Sequence, residues 1–293
     1  MRQVKTPDLW VSHSSIHDYL VCPRAYWIRH LYRNPKTNNK VNLINPSLAL
    51  GSVVHQVLEA LSIIKVEDRL KEPLLEQYEK AWEKISGEKG GFENPQQELE
   101  FKNRGAIMIN RVIFHPGPIE RKAVKLVSPD SLPPRYYLSQ EEGIILCGKI
   151  DWLEYIPENN SVHIIDFKTG LSEEKEDSLQ LPIYALLVKN CQSREVSKIS
   201  YWYLETDNSP KEMKLPDLEK SKEKILEIAR EIREARLKGK MVCPKGGCFA
   251  CKPLEMIVAG KATFVETQDY QDIFTIPKGE IGIVSPVEDT EPF

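Results

Sequence analysis

From Val162 to Gly170 the chain reads VHIIDFKTG. Alternation at a period of two predicts a strand, with Val162, Ile164, Asp166 and Lys168 on one face and His163, Ile165 and Phe167 on the other. Both faces are largely apolar, as in a central strand covered on both sides, and Thr169-Gly170 ends it. Runs rich in β-branched and aromatic residues predict further strands at 119–127 (IERKAVKLV), 135–139 (RYYLS), 143–156 (GIILCGKIDWLEYI) and 198–206 (KISYWYLET). The polar stretch PENN is a turn between two of them. Helical spacing predicts PSLALGSVVHQVLEAL as a helix opened by Asn45-Pro46, with others at 67–86, 97–114, 177–190 and 215–238. Pro73 divides the first of these, and the last is long, charged and amphipathic. Ser15-x-x-Asp18 predicts the cap of a short first helix that Pro23 interrupts or restarts. The order is helices, an antiparallel meander, a helix, then a strand. It predicts an α/β fold, a mixed sheet flanked by helices.

Composition narrows the class. The 293 residues, 41% hydrophobic and 28% charged, suit a soluble globular chain of one large domain or two small ones. There is no run of 18 apolar residues and no leader-like apolar core at the N-terminus, so the expected compartment is the cytoplasm. There the six cysteines read as metal ligands or buried thiols rather than disulfides. A net charge of −3 excludes a generally basic nucleic-acid binder. Charge is uneven, however. From Tyr19 to Leu58 there is no Asp or Glu, while Arg24, Arg29, Arg33, Lys36 and Lys40 interleave with Tyr26, Trp27 and Tyr32. Such a window suits a phosphate backbone and stacked bases, or equally a solvated helix face. No G-x-x-x-x-G-K-[ST] motif is present, so no P-loop motor is expected.

Asp166 and Lys168 carry opposite charges at the end of a buried segment, which costs several kcal/mol per charge unless compensated. A local ion pair would compensate, and so would a hard cation. Asp151, in GKIDWLE on the preceding strand, can meet Asp166 at one end of the sheet. Two unpaired carboxylates repel unless a cation sits between them, and such a pair suits Mg²⁺ or Mn²⁺. His55 can add a nitrogen ligand, which leans toward Mn²⁺, or be an ordinary helix histidine. Gly51, one turn earlier, permits close approach to that helix face. Lys168 could then hold an attacking water or offset transition-state charge.

GKIDWLE followed by IIDFKTG resembles motifs II and III of the PD-(D/E)XK nuclease superfamily, most closely its RecB-like branch. LALGSVVHQVLEAL is similar to that branch's histidine helix, and QLPIYA to its Q-x-x-x-Y motif. SIHDYLVCPRAYWIRHL resembles the segment that opens many such domains. The resemblance implies a restriction-endonuclease-like fold. It implies His55, Asp151, Asp166 and the Phe167 carbonyl as ligands of Mg²⁺ or Mn²⁺, and Lys168 as the catalytic lysine. Gln180 and Tyr184 would support the site or contact DNA, and Arg24, Arg29 and Arg33 are expected on the DNA backbone.

Cys243, Cys248 and Cys251 form C-x4-C-x2-C, a metal-ligand spacing without a fourth neighbour. In iron–sulfur members of the branch, including CRISPR-associated adaptation nucleases and AddB-like subunits, one N-terminal cysteine joins three C-terminal ones. The resemblance implies that role for Cys22 and a [4Fe–4S] cluster joining the two ends, with Zn²⁺ as the alternative. The usual later cysteine is replaced here by Met256 and Ile257, and the extra cysteine lies upstream. Cys147 and Cys191 read as packing residues. The expected organisation is a nuclease domain over 10–259 and a partly flexible extension over 260–293. The expected activity is exonucleolytic, on single-stranded DNA ends, in repair, recombination or CRISPR spacer acquisition beside an integrase or repair complex. The alternative is a DNA-binding or assembly module with a vestigial site.

Overall fold

A computed structural model describes residues 7–126, 130 and 132–276. Strand β1 (Leu9–Val11) leads into α1 (His13–Val21), α2 (Pro23–Tyr26) and a π turn over Trp27–Leu31. Strand β2 (Lys40–Leu43) precedes three helices, α3 (Pro46–Ala60), α4 (Leu74–Trp82) and α5 (Pro95–Phe114). Four strands follow, β3 (Arg135–Ser139), β4 (Ile144–Cys147), β5 (Trp152–Ile156) and β6 (Ser161–Lys168). Then come α6 (Gln180–Cys191), β7 (Val196–Tyr203), β8 (Lys211–Met213), α7 (Leu218–Leu237) and α8 (Lys252–Val258). The described chain ends in the hairpin β9 (Thr263–Gln268) and β10 (Gln271–Thr275).

Local chemistry explains most boundaries. Asn45 and Asn94 each accept a first-turn N–H at 2.9 Å, and a proline follows each at the position where its missing N–H costs nothing. In α1 the cap lies earlier than expected. Ser12 Oγ accepts the Ser15 N–H at 3.2 Å and Ser15 Oγ accepts the Ser12 N–H at 2.9 Å. Asp18 instead turns inward, 2.9 Å from Arg29 and 2.8 Å from His30. The helix expected over 67–86 is reduced to α4 with one 3₁₀ turn before it and one after it, and Pro73 sits at the start of α4.

Two strand expectations are corrected. The run 143–156 is two strands in two sheets, separated by 148–151. Gly148 passes so close to α6 that a Cβ there would lie 3.0 Å from Leu187. The run 119–127 makes one antiparallel bridge, Ala123 opposite Glu154, flanked by two 2.7 Å backbone bonds; Val127 lies outside the described residues.

The central sheet runs β5-β6-β7-β8, with β6 and β7 parallel and the outer pairs antiparallel. All eight β6 residues are buried. Val162 and Ile164 pack with α6 and α7, whereas Ile165 and Phe167 pack with α3, α4 and α5. Each such apolar side chain contributes about 2 kcal/mol on leaving water. Parallel strands need a crossover, and α6 supplies it from β6 to β7. Its first turn therefore arrives at the C-terminal end of β6. A second sheet runs β1-β4-β3. A third, β2-β10-β9, joins the two ends of the chain over Cys22, Ile28, Val41, Cys251 and Leu254. Positions 260–276 of the expected extension thus include a paired hairpin, and 277–293 lie outside the described residues.

Candidate active site and cysteine cluster

Strand register fixes the centre of the site. Trp152 pairs with Ile165 at the end of the β5–β6 ladder, which brings Asp151, the residue before β5, beside the end of β6. Asp151 Oδ2 accepts the Phe167 N–H at 2.9 Å, which ties the bend before β5 to the end of β6. Two residues beyond Asp166 on the same strand face, Lys168 Nζ lies 3.0 Å from Asp166 Oδ2. Both side chains are almost fully buried, 2% and 4% exposed, so this pair is desolvated.

Helix α6 completes the compensation. Gln180 Oε1 accepts from Lys168 at 2.7 Å, and Gln180 Nε2 donates to Asp166 Oδ1 at 2.8 Å. A primary amide suits this bridge because one group carries both an acceptor and donors. One turn on, Tyr184 Oη lies 3.4 Å from Gln180 Nε2. Glu174, in the loop before α6, adds a carboxylate 3.2 Å from Lys168, and its N–H is held by Tyr203 Oη at 2.9 Å.

Helix α3 faces the other side of Asp151. His55 Nδ1 is 3.5 Å from Asp151 Oδ2 and 3.8 Å from Glu59 Oε1, one turn further along. One ligand atom each from His55, Glu59 and Asp151 lie within 4.8 Å of one another. Lys149 pairs with Glu59 at the rim. The Phe167 ring packs between Trp152 and Trp202, with centroids 6.4 and 6.0 Å away.

Charge is unbalanced around this point. Burial pushes the Asp151 carboxyl up, but His55, the Phe167 N–H and Lys168 outweigh it and hold it below the usual range. Burial likewise opposes Glu174, and Lys168 brings it down. Burial first, then Asp166 and Asp151, holds the Tyr184 hydroxyl well above the usual range, so it keeps its proton. Burial, Lys168 and His17 push His13 down to about 4, which leaves it neutral at pH 7. Asp166 and Glu174 thus pair with the buried Lys168 ammonium, which Asp151 also feels, while Glu59 pairs with Lys149 and lies beside His55. Oxygen donors with one imidazole fit a hard divalent cation, Mg²⁺ or Mn²⁺.

A family model described as the PD-(D/E)XK nuclease superfamily matches residues 10–252. The chain belongs to that superfamily. No curated protein matches it. Superfamily membership makes this a metal-dependent nuclease and implies DNA as its substrate. The matched span contains every residue described at the end of β6, and all four clustered cysteines.

The structure brings together His55 with Asp151, and Asp166 with Lys168, Gln180 and Tyr184. The sequence reading missed Glu59, Glu174 and His13 as neighbours of the nuclease site. Glu59 had a signal, since it follows His55 by four residues on one helix face. Of the arginines expected on DNA, Arg24 forms a two-point pair with Glu255 at 2.5 and 3.1 Å, and Arg29 pairs with Asp18. Arg33 donates to the carbonyls of Tyr32 and His30, and lines an open cleft of about 400 Å³ with Lys40 and Tyr270.

Cys22, Cys243, Cys248 and Cys251 also meet, with all four sulfurs within 4.8 Å of one another. Cys22 sits between α1 and α2, Cys251 precedes α8, and the other two lie in the loop after α7. Cys147 and Cys191 lie apart, near the carbonyls of Val11 and Arg135. Burial of Cys243 is opposed by the N–H groups of Lys245 and Gly247, which bring its thiol down to about 7. Burial and the neighbouring thiols push Cys251 up to about 12. Four thiols this close fit a thiolate-bound metal, because only a cation lets them all ionise. Among the described residues no helix is long and apolar enough to cross a membrane.

Proposed function

We propose that this nuclease is a RecB-like deoxyribonuclease that hydrolyses phosphodiester bonds with Mg²⁺ or Mn²⁺ held at the end of β6. His55, Asp151 and Asp166 would hold the ion with the Phe167 carbonyl, and the closeness of Glu59 to His55 and Asp151 supports it as a further donor. The observation that carries the reading is that Asp151 accepts the Phe167 N–H at the end of β6 while Gln180 bridges Asp166 to Lys168. The bound ion supplies Lewis-acid charge at the scissile phosphate. Lys168 offers its ammonium to the charge that develops on the phosphoryl oxygens. Gln180 and Asp166 keep that ammonium in place before DNA arrives, so little reorganisation remains for the reaction. Tyr184, protonated, is a donor beside the same amide.

The resemblance supports a finer reading: exonucleolytic action on single-stranded ends, in repair, recombination or CRISPR spacer acquisition, with an integrase or repair complex as partner. It also supports a metal at the four cysteines, with [4Fe–4S] and Zn²⁺ as the candidates. The test is cleavage of end-labelled linear and closed circular single strands with each metal. Release of nucleotides from linear DNA alone supports the exonuclease reading. Binding without cleavage in either metal, by protein of intact fold, would favour the assembly-module alternative.

A further inference from the structure

Sulfur spacing discriminates between the metals that four cysteines can hold. Cys248 Sγ and Cys251 Sγ are 3.7 Å apart, and no sulfur of the four is more than 4.8 Å from another. A zinc ion bound at about 2.3 Å by four thiolates has sulfur–sulfur edges of about 3.8 Å. In a [4Fe–4S] cubane each cysteine caps a different iron, and the whole inorganic core lies between the protein sulfurs. Those sulfurs therefore stand well beyond mutual contact. Here they are close to contact, and the space between them is that of one ion.

The surroundings agree with a compact thiolate site. The C-x4-C turn reverses through Gly246 and Gly247, at φ +64° and +131°, which a side chain at either position would strain. That reversal returns the Gly246 N–H to the Cys243 carbonyl at 3.1 Å. The Cys248 N–H points at Cys251 Sγ at 3.2 Å, a donor aimed at a thiolate. Arg24 lies close enough to Cys22 and Cys251 to feel both, and is itself fixed by Glu255. A positive group beside the site suits four thiolates on a divalent ion, which carry net negative charge.

We infer that Cys22, Cys243, Cys248 and Cys251 bind a single tetrahedral Zn²⁺, rather than the cubane that the resemblance implies. Zinc has no redox chemistry and its site here has no open position, so it is structural. It pins the first helices to α8 and to the β2-β10-β9 sheet. The sulfur geometry is independent of DNA cleavage, so this assignment and the nuclease reading fail separately.

The test is elemental analysis and acid-labile sulfide on the full chain, purified anaerobically from cells supplied with both iron and zinc. The expected result is one zinc per chain, no sulfide and no visible absorbance. Replacement by Co²⁺ should give the intense d–d bands of a tetrahedral thiolate site. About four irons with matching sulfide would overturn the inference, and so would one iron or no metal. Cys22→Ser should lose the zinc and the cobalt bands. If that variant fails to fold, Cys243→Ser tests the same point, and the wild-type cobalt spectrum decides without any variant.

Discussion

At the end of β6, Asp166 and Lys168 sit on a strand whose eight residues are all buried. Cys243 and Cys248 sit in a loop without helix or strand between α7 and α8. The two donor groups are therefore built differently. In the sheet site, Lys168 and Gln180 already compensate Asp166, and the Phe167 N–H and His55 compensate Asp151. That arrangement holds with the protein's own groups. The cysteine group brings four sulfurs within 4.8 Å of one another, a crowding that a shared cation would relieve. One donor group is thus held by a buried sheet and its neighbours, and the other by a loop that ties distant parts of the chain.

The largest effect belongs to the fastening. Cys22 joins the C-terminal cysteines across most of the chain, and closing so long a loop removes on the order of 5 kcal/mol of unfolded-chain entropy, by analogy with a disulfide. Cys22→Ala should lower Tm sharply and release the metal, while Cys147→Ala and Cys191→Ala keep full metal content. Leaving Mg²⁺ and Mn²⁺ out of the buffer, with no chelator, should leave Tm nearly unchanged. Equal melting of wild type and Cys22→Ala, at full metal content, would show that the contrast between the sites is not real.

The sheet site answers in rate. Asp166→Asn and Lys168→Gln should each reduce cleavage on the order of 10³-fold, about 4 kcal/mol in the barrier. Both keep side-chain volume and a polar head, so far-ultraviolet circular dichroism should not change. Wild-type cleavage by either variant would remove that residue from the chemistry. Gln180→Glu replaces the donor facing Asp166 with a second carboxylate and should cost on the order of 10²-fold. Gln180→Met removes the bridge without adding charge and should cost less. If both variants cost the same, the amide works by shape rather than by its paired donor and acceptor.

His13 tests the seam between α1 and the sheet site. Its folded value of about 4 lies below the 6.5 of an ordinary histidine. Between these values the unfolded chain binds a proton that the folded chain refuses, so stability falls as pH drops through that window. The full effect is about 3 kcal/mol, complete near pH 4. His13→Gln should flatten the decline of Tm between pH 6.5 and 4. An unchanged slope would place the acid sensitivity elsewhere.

Legibility followed distance along the chain. Asp166 and Lys168, two apart on a strand, and Gln180 and Tyr184, four apart on a helix, are local patterns, and their elements formed as expected. The PENN turn made the β5–β6 pairing legible too, and with it the placing of Asp151 beside the end of β6. Glu174 was hidden because SEEKED offers several acids and nothing local says which one reaches Lys168. The break at 148–151 depends on Gly148 meeting Leu187 of α6, a contact that strand periodicity does not carry. The pairings β1 with β4 and β2 with β10 join segments far apart in the chain, where a period-two pattern names a strand but not its neighbour.

The smallest effect separates the three arginines of the acid-free window. Arg24 and Arg29 spend their guanidinium groups on Glu255 and Asp18, within the folded protein. Arg33 and Lys40 share one cleft, and burial first, then Arg33, holds Lys40 below the usual lysine range. Two neighbouring cations beside the exposed Tyr270, which is 88% accessible at the tip of the β9–β10 hairpin, suit a phosphate and a stacked base. Each phosphate contact to a single strand contributes about −0.7 to the slope of log K against log salt. Arg33→Ala with Lys40→Ala should therefore flatten that slope by roughly 1.4. Arg24→Ala and Arg29→Ala should lower Tm and leave the slope alone. Fluorescence anisotropy on a labelled single strand from low to moderate salt measures all of these. If Arg24→Ala or Arg29→Ala flattens the slope as much, those pairs open on DNA and the whole window is the interface. If no variant moves it, the window is a structural face and DNA is held elsewhere.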